Sequence, residues 1–498
     1  MVLTNNAGDI LDDYYGTNPA VAQAARVHPA PLLPCNNSTD FNRWGNPYDL
    51  QEFIYWILKM LVLPVLVILL IFWFNILSTF ENPVFGIISS ILGPIAGFFF
   101  FIMAKESARA ARNRISNDQL VQSGVPLNIL ENVNFKIGFV GDIMMMNGHD
   151  LRFDRDVKKF FDDVKVIVGN LEGIVTDEKP HLAQQRHVPD TLSHLERLLS
   201  PGINWLLGLS NNHSIDYGNK AFHESLIKIQ DNLRINVFGR NDVKNVLDQG
   251  LFINIASGTE WSNQNTWTCT SRYENTELWT YHRKDINPNG VNRFNILYPH
   301  WGYENERYIR RRIQKDATAL LTNERQTYTD YQERIRRSND NLILPGENPF
   351  RKWDLIFGHH SHTPQPIMKI DDFLTDRNGN KIHDQQGNNI VFHKLAAFSG
   401  GNFTSGAWII RRKKHIYGTV MKCDIGPLKG HSSQLAVGNV EWRTTVNVRD
   451  HDDNGKKYKT VEFYRRRYRT FAQYLWSLLL GFGILALILI LRYIDSIL

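Results

Sequence analysis

The chain has 498 residues, of which 43% are hydrophobic and 21% charged, and it carries a formal net charge of +6. That length is too great for one small domain and suits one large domain with additions. Cys35, Cys269 and Cys423 lie far apart with no CxxC pair, which excludes a disulfide-rich scaffold and a cysteine-based zinc ribbon.

Residues 1–50 read as a polar segment with scattered Pro and Asn and no sustained periodicity. No apolar run lies near Met1, so a cleavable signal peptide is not expected. Residues 51–104 read as a transmembrane hairpin: Met60–Phe80 holds 21 residues without a charge and Asn82–Ala104 holds 23. Residues 470–492 read as a third span, with 22 residues from Thr470 to Leu491. Each run meets the roughly 20 apolar residues that cross a hydrocarbon core. The segments facing inward from these spans are basic: a linker over 105–134 with Lys105, Arg109, Arg112 and Arg114, and a juxtamembrane segment over 446–469. The positive-inside rule therefore places the intervening domain in the cytoplasm of an integral, multi-pass membrane protein, with the extracytoplasmic side as the alternative. Membrane lipid is an expected partner. Nucleic acid is not, because no nucleic-acid-binding module accompanies the basic runs.

From Phe135 to about residue 445 the texture changes to short apolar runs alternating with amphipathic stretches. The runs "FKIGFVGD", "VKVIVGNLEG", "INWLLGLSNNH", "FNILYPHWG" and "WDLIFGHHSH" read as strands, and "DTLSHLERLLS" and "GNKAFHESLIKIQDNL" read as helices. That alternation predicts an α/β domain with a largely parallel sheet. The stretch 307–349 is polar and helix-like, a solvated insert.

The polar residues at the strand ends are the chemistry-bearing pattern. Asp142 follows the first strand, Glu172 the second, Asn212 and His213 the third, His300 the fourth, and His359, His360 and His362 the fifth. Ligands of α/β sheets sit beyond the carboxyl ends of the strands. Taken singly, each residue has a plain explanation: Gly-Asp as a turn, Asn-Asn-His as a helix cap, His300 as a half-buried histidine. Taken together, carboxylates, an amide and imidazoles at equivalent positions describe a metal pocket. Mixed oxygen and imidazole ligands favour Mn, Fe or Zn as the divalent ion, one or two in number.

These motifs, in the order GD, NLEG, SNNHSIDYG, HWGYE, GHHSH and SGGNF, resemble the CapA (poly-gamma-glutamate synthesis) family, a branch of the calcineurin-like metallophosphoesterases. The resemblance implies a calcineurin-like four-layer α/β/β/α sandwich, which with the three transmembrane helices completes the expected fold class. It implies Asp142, Glu172, Asn212, His300, His359 and His362 as metal ligands, with Glu172 shared between two ions. It implies His213, with Asn212, as catalytic, and His360, Asp216, Trp301, Glu304 and Asn402 as supporting or pocket-wall residues. The histidine of the superfamily's Asp-x-His motif is missing, since Met144 stands there. The function implied is a membrane-anchored, metal-dependent hydrolase of a phosphoester or of an anionic capsule polymer. The alternative is a catalytically weak accessory subunit that guides such a polymer within a synthesis or export complex.

Overall fold

A computed structural model describes residues 115–463, apart from 116–117, 180–183, 244, 249–252, 265–268, 274–293, 305, 307–308, 323–352, 376–380, 407–414 and 453–454. All of them belong to one compact unit, Asn113–Tyr464. In chain order its elements are β1 (Val125–Pro126), β2 (Phe135–Ile143), β3 (Asp150–Phe153), α1 (Arg155–Phe160), β4 (Val166–Leu171), β5 (Ile174–Val175), β6 (Arg186–His187), α2 (Asp190–Glu196), β7 (Asn204–Gly208), α3 (Gly218–Gln230) and β8 (Ile235–Phe238). There follow β9 (Asn245–Asp248), β10 (Ile253–Ala256), β11 (Phe294–Leu297), α4 (Arg311–Thr322), β12 (Leu355–Phe357), β13 (Ile367–Phe373), β14 (Val391–Ala397), β15 (Asn402–Thr404), β16 (Tyr417–Leu428), β17 (His431–His451) and β18 (Lys457–Phe463).

The strands form two large sheets. The first has the order β3-β18-β17-β16-β2-β4-β7-β8, and the second β13-β14-β12-β11-β10-β9. Within the first, β2, β4, β7 and β8 run parallel, while β16, β17 and β18 are antiparallel. In the second, β10, β11, β12 and β14 are parallel and β9 and β13 close the edges antiparallel.

Both faces of the central strands are covered, which is why they read as continuous apolar runs. Side chains alternate between the two faces. Val166, Val168 and Leu206 pack with Phe294, Ile296, Leu355 and Phe357 of the second sheet, together with Ile137 and Phe139. Their neighbours Ile167, Trp205 and Leu207 pack instead with Val157 of α1, Leu192 of α2 and Phe222 and Leu226 of α3. Outside the second sheet, Leu297, Ile356 and Ala396 meet Ile313, Ala317, Leu320 and Leu321 of α4, an apolar stripe at helical spacing. The helix expected at the start of 307–349 is therefore present as α4, with this stripe buried; residues 323–349 lie outside the described residues.

Two expectations need correction. Lys457–Phe463, assigned from its charge to a basic juxtamembrane segment, is a strand of the first sheet, paired along its length with β17. Among the described residues no helix is long and apolar enough to cross a membrane; α3, with 13 residues, falls well short of the roughly 20 required. The fold class written with three transmembrane helices and the multi-pass localisation do not stand. The apolar runs on which they were built, within 51–104 and 470–492, lie outside the described residues.

The two sheets are spliced at one point. The chain leaves the second sheet at Ala397, passes through Ser399, Gly400 and Gly401, and enters β15, which pairs with β2 of the first sheet at Asn402 and Asp142. The Asp142 amide donates to the Gly401 carbonyl at 2.7 Å. A Cβ at Gly141 would overlap that carbonyl and the Gly400 backbone. Gly141→Ala is expected to cost ~1–3 kcal/mol through overpacking, read as a lowered urea midpoint; an unchanged midpoint rejects the tight splice.

Candidate functional site

The splice brings the ends of strands from both sheets to one buried point. Asp142 and Glu172 arrive from the first sheet, and the Glu172 amide donates to the Ile143 carbonyl at 3.1 Å. His300 and His359 arrive from the second, bridged in parallel register. Asp142, Glu172, His300 and His359 are fully inaccessible, and His360 and His362 nearly so.

Asp142 is the hub. One carboxylate oxygen accepts from the Asn170 amide at 2.8 Å and lies 3.4 Å from His359 Nδ1. The other accepts from the His360 backbone N–H at 3.1 Å and lies 3.4 Å from His362 Nδ1. Asn170 is held in turn by Asn211 at 3.1 Å. The turn that aims these imidazoles is strained: His360 has φ 95° and His362 φ 56°, the left-handed region that non-glycine residues rarely occupy.

Two clusters of ligand-type atoms result, Asp142–His300–His359 and Asp142–Glu172–His362, each with its atoms within 4.8 Å of one another. Asp142 belongs to both, and Glu172 to the second. Both Glu172 oxygens, His359 Nε2 and His360 Nδ1 are buried and make no hydrogen bond among the described residues. A buried carboxylate without donors is costly unless a cation compensates it. The donor set, carboxylates with imidazoles, fits a divalent metal ion.

The electrostatics agree. Burial works to raise Asp142, but the imidazoles of His359 and His362 outweigh it and hold the carboxyl well below the usual range. Burial pushes Glu172 well above that range, with the Asp142 charge adding to the effect. Burial opposes protonation of His362, yet Glu172 and then Asp142 outweigh it and push it up to about 10. Glu172 Oε1 and His362 Nε2 lie 3.5 Å apart, so without a cation this pair keeps at least one proton between them. Burial, with the neighbouring imidazoles adding to it, holds His300 well below its ordinary value. Burial likewise lowers His360 to about 3.

The other expected residues fall in distinct places. His213 Nδ1 meets Asp216 at 2.6 Å, and its Nε2 lies 3.8 Å from Glu172. Asn212 brings its side-chain oxygen to the same point, 2.9 Å from His300 Nε2. Asn402 accepts from His362 Nδ1 at 3.0 Å and donates to the His415 carbonyl at 3.0 Å, which turns His362 Nε2 toward Glu172. His360 packs its ring on Trp261, 5.9 Å between centroids. Glu304 is exposed, and its charge reaches Glu172, His360 and His362. Trp301 is not pocket wall. It lies in the core beside α4, donating to the Phe398 carbonyl at 3.0 Å, and it fills the space a side chain on Gly358 would need.

Several contributors were not anticipated. Asn170 and Asn211 adjoin the motif residues Glu172 and Asn212 in sequence, and that adjacency was a usable signal. His187, whose Nε2 bonds the Glu172 carbonyl at 3.0 Å, His415, Trp261 and Asn263 follow no motif; only the fold brings them here.

The site thus defines a class: an α/β protein with a buried carboxylate–imidazole centre suited to a divalent cation. Residues 136–324 match the family described as bacterial capsule synthesis protein PGA_cap, so the resemblance to the CapA family is borne out. That stretch carries Asp142, Glu172, Asn212, His213 and His300, while His359, His362 and Asn402 lie beyond it. A solved structure described as a putative 5'-nucleotidase from Staphylococcus aureus in complex with alpha-ketoglutarate is 13% identical with a TM-score of 0.30; the alignment covers 64% of this chain and 56% of that one. No curated protein matches the chain.

Metal ligands must be deprotonated, so metal uptake releases protons. Since His362 is pushed up to about 10, it is protonated at pH 6–8 without metal, and affinity is expected to rise with pH across that window, by up to about tenfold per unit. Calorimetric Mn²⁺ titrations in buffers of differing ionisation enthalpy test this. A pH-independent affinity with no proton release removes the assignment of His362 to the centre.

Proposed function

We propose that the chain is a metal-dependent hydrolase acting on a phosphoester or an anionic capsule polymer such as poly-gamma-glutamate. The observation that carries this reading is the pair of buried clusters joined at Asp142, with a Glu172 carboxylate that no donor satisfies. Asp142, His300, His359, Glu172 and His362 are the residues that would hold metal. A divalent ion bound there supplies Lewis acidity toward a phosphoryl or carbonyl oxygen and generates hydroxide near neutral pH.

The chain's own groups do the rest. His213 sits at the edge of the centre with Nδ1 tied to Asp216, which fixes the ring and leaves Nε2 facing the Glu172 side. That pose presents Nε2 for proton transfer with the leaving oxygen, a contribution typically worth 10²–10⁴-fold. Asn212 keeps His300 from rotating. Burial of the centre excludes bulk water and strengthens each interaction within it.

A second reading is a catalytically weak subunit that binds or guides the polymer within a synthesis complex. It is favoured by Met144, which stands where the superfamily has a histidine and whose backbone N–H and carbonyl bond the Thr404 hydroxyl.

Metal analysis of the purified full chain, together with a panel of phosphoesters and poly-gamma-glutamate, tests both. The hydrolase reading expects stoichiometric transition metal. It expects Asp142→Asn to lose metal and turnover together, and His213→Ala to keep metal while losing about 10²–10⁴ in kcat. Metal-loaded chain that binds polymer without cleaving it supports the second reading. A metal-free chain whose variants behave like the wild type ends both.

A further inference from the structure

Where β2 reaches the centre it carries one residue more than its neighbour. From Phe139, opposite Val168, it takes three steps to Asp142, while β4 takes two to Asn170. Such a bulge leaves a residue unpaired and re-aims the side chains beyond it. The packing records the change of phase. Phe139 lies in the core between the sheets and Val140 in the core shared with the helices. Strict alternation would return Ile143 to the Phe139 side and turn Asp142 toward the helices. Instead Ile143 belongs with Val140, and Asp142 faces the second sheet, its oxygens 3.4 Å from His359 and His362. Without the extra residue the carboxylate would point to the other face.

Tyr298 reaches this bulge from the opposite sheet. It directly follows β11, and its amide donates to the Ala256 carbonyl at 2.8 Å. Its hydroxyl donates to the Val140 carbonyl at 2.5 Å, and the Asn170 backbone N–H approaches the same oxygen. A phenol has one hydrogen to give, and here it goes to the carbonyl that the bulge carries. The ring is fully buried. It meets His359 at 4.5 Å between centroids and stacks with Phe357 at 5.9 Å, and a Cβ on Gly208 would come within 3.4 Å of it. Asn170, beside the hydroxyl, is also the residue whose side-chain amide donates to Asp142. A phenylalanine would fill the same core, so packing alone does not account for the hydroxyl.

We infer that Tyr298 is a positioning residue: its hydroxyl holds the bulge at Val140 and Gly141, and so aims Asp142 at the metal centre. This rests on the metal reading of the site given above. It adds a tie between the sheets distinct from the glycine splice, placed under the carboxylate that both clusters share.

Groups that orient a ligand from behind typically contribute 10–100-fold to metal affinity. The test is a Mn²⁺ titration of the metal-free full chain, by calorimetry and by the free-Mn²⁺ paramagnetic signal, beside thermal melts of the same samples. Tyr298→Phe, which removes one oxygen and keeps the ring, is expected to weaken Mn²⁺ binding by about 10–100-fold. Phe238→Leu is the control. Phe238 packs on the Tyr298 ring at 6.2 Å between centroids and has no polar group to offer the bulge, so this variant should melt earlier yet keep its affinity within threefold. Amide exchange across residues 139–143 should be faster in Tyr298→Phe than in Phe238→Leu. Wild-type affinity in Tyr298→Phe overturns the inference, leaving the metal reading intact. Loss of affinity in both variants in step with their melting temperatures shows a purely structural role and overturns it as well, as does a Tyr298→Phe chain that does not fold. A wild type that binds no Mn²⁺ sinks the metal reading and the inference with it.

Discussion

The centre exists because two backbones touch. Gly141 in the first sheet and Gly400–Gly401 leaving the second approach so closely that neither side tolerates a Cβ, and the Asp142 amide closes the contact on Gly401. Glycine is required here for the absence of a side chain; Gly401 also has φ 59°, which glycine adopts at little cost. The same strand-to-strand passage orders the histidine turn, since the Gly400 amide donates to the Gly358 carbonyl at 2.9 Å and the Gly358 amide to Ala397 at 2.8 Å. Each carboxylate and imidazole of the site is therefore carried on regular structure or on a turn bonded directly to it. Sites carried on rigid elements hold their geometry more precisely than sites on loops.

Much of this was legible in the sequence, and for a physical reason. Strands covered on both faces must be continuously apolar, so their ends are sharp, and a carboxylate or imidazole directly after such a run stands out. Asp142, Glu172, His300, His359 and His362 could be read that way, and all five meet. Local alternation does not reveal that the strands divide between two sheets; that arrangement was expected only through the four-layer sandwich the family resemblance implies. A run such as "FNILYPH" looks the same whichever sheet it joins, and the division follows from which faces pair. Trp301, expected as a supporting or pocket-wall residue, takes the supporting place: successive side chains on an extended backbone point opposite ways, and it packs behind the histidine turn at Gly358. Charge misled at the C-terminal edge, where the lysines of Lys457–Phe463 pattern a half-exposed strand rather than a lipid-facing segment.

Asn263 marks the limit of local reading. Nothing about "TEWSNQN" differs from an ordinary polar loop. Its contacts with Asn212 and Asp216 depend on the loop crossing from the second sheet to the first, a long-range fact that no window of sequence contains. The buried amides Asn170 and Asn211 sit between these extremes. They could be suspected beside motif residues, but only their contacts show that they brace Asp142 and, through the bond from the His213 amide to Asn211 at 3.1 Å, place His213 as well.

The two acidic residues of the centre are built for different work. Asp142 receives an amide hydrogen bond and a backbone hydrogen bond on separate oxygens, faces an imidazole on each side, and grows from a strand whose own N–H is tied across the splice. Its position is overdetermined, and it can serve both clusters without moving. Glu172 has a longer side chain, no hydrogen bond to either oxygen among the described residues, and only imidazole edges of His213 and His362 at 3.8 and 3.5 Å. The cost of leaving Glu172 without donors in the interior is several kcal/mol if it is ionised and uncompensated. A fold has no structural reason to retain such a group, and a cation-binding centre does.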